Sequence, residues 1–146
     1  GIRDIGVTGV QTCALPISEA DALALVAIAR RDLQAAHGMT NTTTFHEAVW
    51  GFQVQQTIEK ALKAWLYLSG VEPPFTHDLV ALLKLLNQAG IDIAPYRDLA
   101  RFTDFAVQIR YDDQPELQNL DRPIWNNRVE ALLASIETQL PPPAMP

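Results

Sequence analysis

The chain has 146 residues, 48% of them hydrophobic and 19% charged, which supplies enough apolar side chain for one core and rules out disorder along the whole length. Eleven Lys and Arg against seventeen Asp and Glu give a net charge of −6, so a basic global field for nucleic acid or anionic lipid is excluded and any polyanion contact has to be local. The single cysteine, Cys13, excludes an internal disulfide and every two-cysteine zinc or redox motif, and no apolar run reaches the roughly 18 residues of a membrane span; a soluble cytoplasmic protein is expected.

Residues 1–17, GIRDIGVTGVQTCALPI, have neither helical nor strand periodicity and lack the unbroken apolar stretch of a signal peptide. They resemble the translated read-through of a sequencing adapter and are expected to be non-native, or else a disordered arm. From residue 18 to 140 the pattern is that of a single domain made of helices, with no alternating β-branched run. Ser18 is a plausible N-cap for a first helix over 19–37, whose Ala22, Leu25, Val26, Ala29, Leu33 and Ala36 recur at three-four spacing. After the cap-rich MTNTTT, a second helix is expected over 44–69, with Val54, Ile58, Ala61, Leu62, Trp65 and Leu66 on one face and Gly70 as its stop. Pro73 and Pro74 interrupt, and a third helix over 77–88 carries Leu79, Leu82, Leu83 and Leu86. Pro95 opens a fourth, 95–111, striped by Leu99, Phe102, Ala106 and Ile109. Asp121 and Pro123 open a fifth, 122–139, with Trp125, Val129, Leu132 and Ile136 inward, and the Pro-rich tail 141–146 follows. Five helices with mostly short joints predict an all-α antiparallel up-and-down bundle, and the wide apolar faces of helices two and three suggest a homodimer.

Much chemistry is excluded. Gly38, Gly51, Gly70 and Gly90 stand singly, so neither a P-loop nor a dinucleotide fingerprint can be drawn, and no cofactor is expected. His46-Glu47 lacks a second histidine one turn on, so it is no zinc helix, and His46 reads as an exposed first-turn residue. What remains is a polar stripe on helix two, Gln53, Gln56, Lys60, Lys63 and Tyr67, followed by EPPFTHDL, which sets His77 and Asp78 where free N–H groups at a helix start favour anions. The plain alternative is a solvated face, with Gln56–Lys60 and Glu59–Lys63 as ordinary i,i+4 pairs.

Gln55-Gln56, Glu59-Lys60, Ala61-Leu62-Lys63-Ala64, Gly70, Glu72-Pro73-Pro74, Thr76-His77-Asp78-Leu79 and Leu82-Leu83 together resemble the signature of the HEPN domain family, and Arg110-Tyr111 resembles an Arg-Tyr of that family's fourth helix. The resemblance runs from about Ala20 to Ile136. It implies a helical bundle, often dimeric, of a kind commonly encoded beside a minimal nucleotidyltransferase. Many such proteins are metal-independent RNases of toxin–antitoxin or defence systems, while others bind nucleotide or RNA without cutting. Catalytic members carry Arg, four to six residues, then His in a later helix. Here only Arg30 or Arg31 with His37 has that spacing, and in helix one. Phe75 stands where relatives often have Arg, and Tyr111 is followed by Asp112 rather than Pro. The favoured expectation is a non-catalytic module in which Gln56, Lys60, Lys63, His77, Asp78, Arg110 and Tyr111 meet a nucleotide, an RNA phosphate or an acidic surface of a nucleotidyltransferase. The alternatives are an RNase, with His37 or His77 in acid–base roles and Arg30, Arg31 or Arg110 stabilising the phosphorane, and a structural helical adaptor.

Overall fold

Side chains placed just ahead of three helices fix where each begins. His46 Nδ1 accepts from the Ala48 N–H at 3.0 Å, an Asp78 carboxylate oxygen from Val80 N–H at 3.0 Å, and an Asp121 oxygen from Ile124 N–H at 3.1 Å. The computed structural model describes residues 17–106 and 119–142, in which α1 is Ile17–His37, α2 Glu47–Leu68, α3 Leu79–Gln88, a 3-10 helix Ala94–Phe102 and α4 Arg122–Glu137. The readings made for residues 1–16, for Arg110 and Tyr111 and for residues 143–146 lie outside the described residues.

The expected bounds shift where local hydrogen bonding competes with the helix. α2 starts at Glu47 rather than 44 because Asn41 Oδ1 accepts from the N–H groups of Thr43 and Thr44, at 2.9 and 3.0 Å, holding that stretch in a turn. His46 is therefore the N-cap, not a first-turn residue, and Asp78 puts His77 outside α3. At the other ends Gly70 and Gly90 adopt φ of +78° and +90°, and Val71 and Ile91 N–H groups close back on Leu66 and Leu86 carbonyls at 2.9 and 3.1 Å.

The fourth element is the main correction. Ala94–Phe102 is a 3-10 helix, continued by helical residues 103–106, not the start of an α-helix over 95–111. Its inward side chains are Ile93, Tyr96, Leu99, Phe102 and Phe105, every third residue, which is the repeat of three residues per turn. A stripe read at three-four spacing does not separate this from an α-helix.

α2 is the central helix, touching α1, α3, the 3-10 helix and α4. Its wide apolar face, with Trp50, Ile58, Leu62 and Leu66 fully buried, is spent on these four neighbours within the chain. α1 and α4 run antiparallel: Arg30 reaches Glu130 and Glu137, Ala36 C=O accepts from Asn126, and Met39 C=O from Arg122. Gly51 lets the Phe105 ring lie on α2, since a Cβ there would stand 2.2 Å from it. No helix among the described residues is long and apolar enough to cross a membrane.

Candidate functional site

Glu59 is the centre of the polar cluster on α2. It is only 6% exposed, and its carboxylate accepts from Gln55 Nε2 at 3.0 Å one turn earlier and from Lys63 Nζ at 2.9 Å one turn later. The two prolines of the α2–α3 joint return the chain so that His77 Nδ1 lies 2.9 Å from the same carboxylate, while Gln55 Nε2 also donates to the His77 carbonyl at 3.2 Å. Burial pushes the Glu59 carboxyl up, but the hydrogen bonds from Lys63, His77 and Gln55 outweigh it, and it sits below its ordinary value. An ionised carboxylate fixes the proton on Nδ1 and orients the imidazole, whose side chain remains 68% exposed.

The rest of the stripe is divided among different partners. Lys60 turns to α1 and pairs with Asp32 at 2.5 Å, Gln56 donates to Gln55 at 2.8 Å, and Asp78 is taken up in capping Val80. Backbone donors that seemed open to an anion at the start of α3 thus have partners within the chain, Val80 N–H the Asp78 carboxylate and Leu79 N–H the Thr103 hydroxyl at 3.1 Å. Glu59–Lys63 forms as the i,i+4 spacing suggests, whereas Lys60 prefers α1.

The Arg–His pair of α1 is held from α4. Arg30 is clamped by Glu130 and Glu137, each at 2.5 Å, and His37 Nε2 stands 3.7 Å from Glu130. Arg31 is 74% exposed and stands 3.8 Å from Asp32. Among the described residues no group of three or more His, Cys, Asp and Glu could hold a metal ion.

Sequence reasoning treated Glu59 and Gln55 as part of a pattern and missed their central place, although both fall on the inward side of α2 beside Ile58 and Leu62. It also missed a buried polar network beside Trp50. Asn126, fully buried, accepts from Trp50 Nε1 at 2.9 Å and donates to Ala36 C=O at 3.2 Å. Arg122, 4% exposed, donates to Met39 C=O at 2.9 Å and lies over the Trp50 ring; burial lowers its pKa against the opposing charge of Glu47.

An all-helical bundle whose α2–α3 joint is closed by a buried glutamate, a lysine, a glutamine and a histidine defines a class of small helical domain. The chain belongs to the HEPN domain family, whose model matches residues 22–139. No curated protein and no solved structure matches it.

Proposed function

We propose that this protein is a non-catalytic HEPN module of a toxin–antitoxin or defence system, acting as a dimer that docks on a nucleotidyltransferase-type partner protein. The observation that carries this reading is that, among the described candidates for phosphate contact, Lys60 is engaged by Asp32, Lys63 and one ring nitrogen of His77 by Glu59, Arg30 by Glu130 and Glu137, and His46 by the α2 backbone, with Arg31 left largely exposed. A nucleotide or RNA phosphate, the other ligand of this reading, has to displace a carboxylate to reach either lysine. Weak, salt-sensitive ATP or RNA binding that falls in Lys60→Ala and Lys63→Ala would favour phosphate over protein.

One observation favours a second reading, an RNase. His77 is oriented by a buried carboxylate and keeps its imidazole exposed, the arrangement of a general base. The two readings separate in one experiment: purified protein is incubated with cellular RNA and the products are examined for 2′,3′-cyclic phosphate ends. No cleavage, and no growth arrest on expression, is the expected result. Cyclic ends that vanish in His77→Ala or His37→Ala would establish the RNase instead.

A further inference from the structure

Among the described residues, Lys84 of α3 and Arg97 of the 3-10 helix are exposed cations with no described carboxylate within 4.0 Å, whereas Arg101 lies over the Trp125 ring at 5.2 Å. In a chain of net charge −6, Lys84 and Arg97 therefore face one groove with their charge unpaired, on elements other than α2 with its paired lysines. Between the same two elements runs a groove of about 450 Å³, lined by Val80, Leu83, Ile93 and Ala100, with Lys84 and Arg97 on its sides. Val80 is 57% exposed there, an apolar side chain left to water beside two free cations.

We infer that this groove is a docking site for an acidic amphipathic helix of a partner protein, its apolar side chains on the aliphatic floor and its carboxylates against Lys84 and Arg97. The inference rests on the partner-docking reading above and says where and by what chemistry the partner is held. Charge complementarity selects the occupant: an aliphatic floor takes the i, i+4 apolar anchors of a helix, and cations on the rim reward acidic flanks while rejecting basic ones. Single-stranded RNA fits poorly, because base stacking needs an open aromatic face and no described aromatic side chain lines the groove, the exposed Phe75 ahead of α3 included. The nearby aromatics are committed, Tyr96 edge-on to Trp65 at 5.6 Å, and Trp125 to the guanidinium groups of Arg101 and Arg128 at 5.2 and 5.0 Å.

The test uses the full chain, methyl-labelled for NMR, and three synthetic helices of about four turns with one leucine face and Glu, Gln or Lys on both flanks. The Glu helix should bind about tenfold or more tighter than the Gln helix, with the Lys helix weakest, and should shift the methyls of Val80, Leu83 and Ile93. Val80→Glu should abolish binding of the Glu helix. The Lys84→Glu, Arg97→Glu double variant, altered only at exposed positions, should invert the preference toward the Lys helix at an unchanged melting temperature. Equal binding of all three helices, methyl shifts outside the groove, or a poly(U) RNA that moves the same methyls more tightly than the Glu helix would overturn the inference. If that happens while RNA stays uncleaved, the groove is lost and the non-catalytic reading stands. RNA cleavage with the flank preference intact removes the non-catalytic reading alone.

Discussion

Glu59 shows why burial and ionisation coexist at one residue. Desolvation alone would raise the pKa of the carboxyl, yet three donors aimed at it stabilise the anion by more, and its folded pKa falls below the ordinary value of 4.5. The unfolded chain therefore binds the proton more readily, and the cluster's contribution to stability is complete above the ordinary value and lost as pH falls through the lower folded one. Glu59→Gln should cost about 2 kcal/mol at neutral pH, and the loss relative to wild type should shrink in urea titrations below about pH 4. A loss independent of pH would mean that the charge on Glu59 contributes nothing. Gly51 is a residue-scale constraint of a different kind, steric rather than electrostatic. A methyl at that position would meet the Phe105 ring at 2.2 Å, so Gly51→Ala should destabilise by about 1–3 kcal/mol despite alanine's better helix propensity. In a Phe105→Ala background the sign should reverse toward stabilisation, a coupling that a double-mutant cycle reads directly.

Between elements, the fastening of α4 to α1 sets exposed charge against buried amide. Arg30, 38% exposed, reaches Glu130 and Glu137, both of which water also reaches. Asn126 has no exposure and joins α4 to Trp50 of α2 and to the end of α1. Arg30→Ala should therefore cost about 1 kcal/mol or less, fading with added salt, and Asn126→Leu about 2–3 kcal/mol at any salt, because it strands the buried Trp50 N–H. Thermal unfolding at low and high salt checks both. The same contrast marks what the sequence made legible. Asp121, Gly70 and the apolar face of α2 are local signals, and each produced the cap, stop or face expected of it. The 3-10 helix was not legible, since Leu99 and Phe102 satisfy a spacing of three in either helix type. Within the polar cluster, Glu59–Lys63 was readable because one turn of helix sets it. Lys60–Asp32, Asn126–Trp50 and the clamp on Arg30 join residues far apart in the chain, and no local rule pairs them.

At the scale of the whole molecule the net charge of −6 conceals an uneven arrangement. Arg30, Lys60, Lys63 and Arg128 are each neutralised by neighbouring carboxylates and Arg101 lies over Trp125, which leaves Lys84, Arg97 and the largely exposed Arg31, 3.8 Å from an Asp32 that Lys60 already holds, as the loosely committed charge of the described residues. That distribution bounds how the protein can meet a polyanion. Each phosphate contacted on a single strand adds about −0.7 to the slope of log K against log salt, so three such cations among the described residues supply a slope of about −2. Binding of labelled poly(U) between about 50 and 200 mM salt should therefore be weak and shallow in its salt dependence. Charge reversal at Lys84 and Arg97 should flatten it further, with Lys60→Ala having little effect, because Lys60 is already occupied by Asp32. A slope much steeper than about −2, undiminished by that reversal but cut by Lys60→Ala and Lys63→Ala, would show that the α2 lysines leave their carboxylates for phosphate, and the protein would then act on nucleic acid through α2.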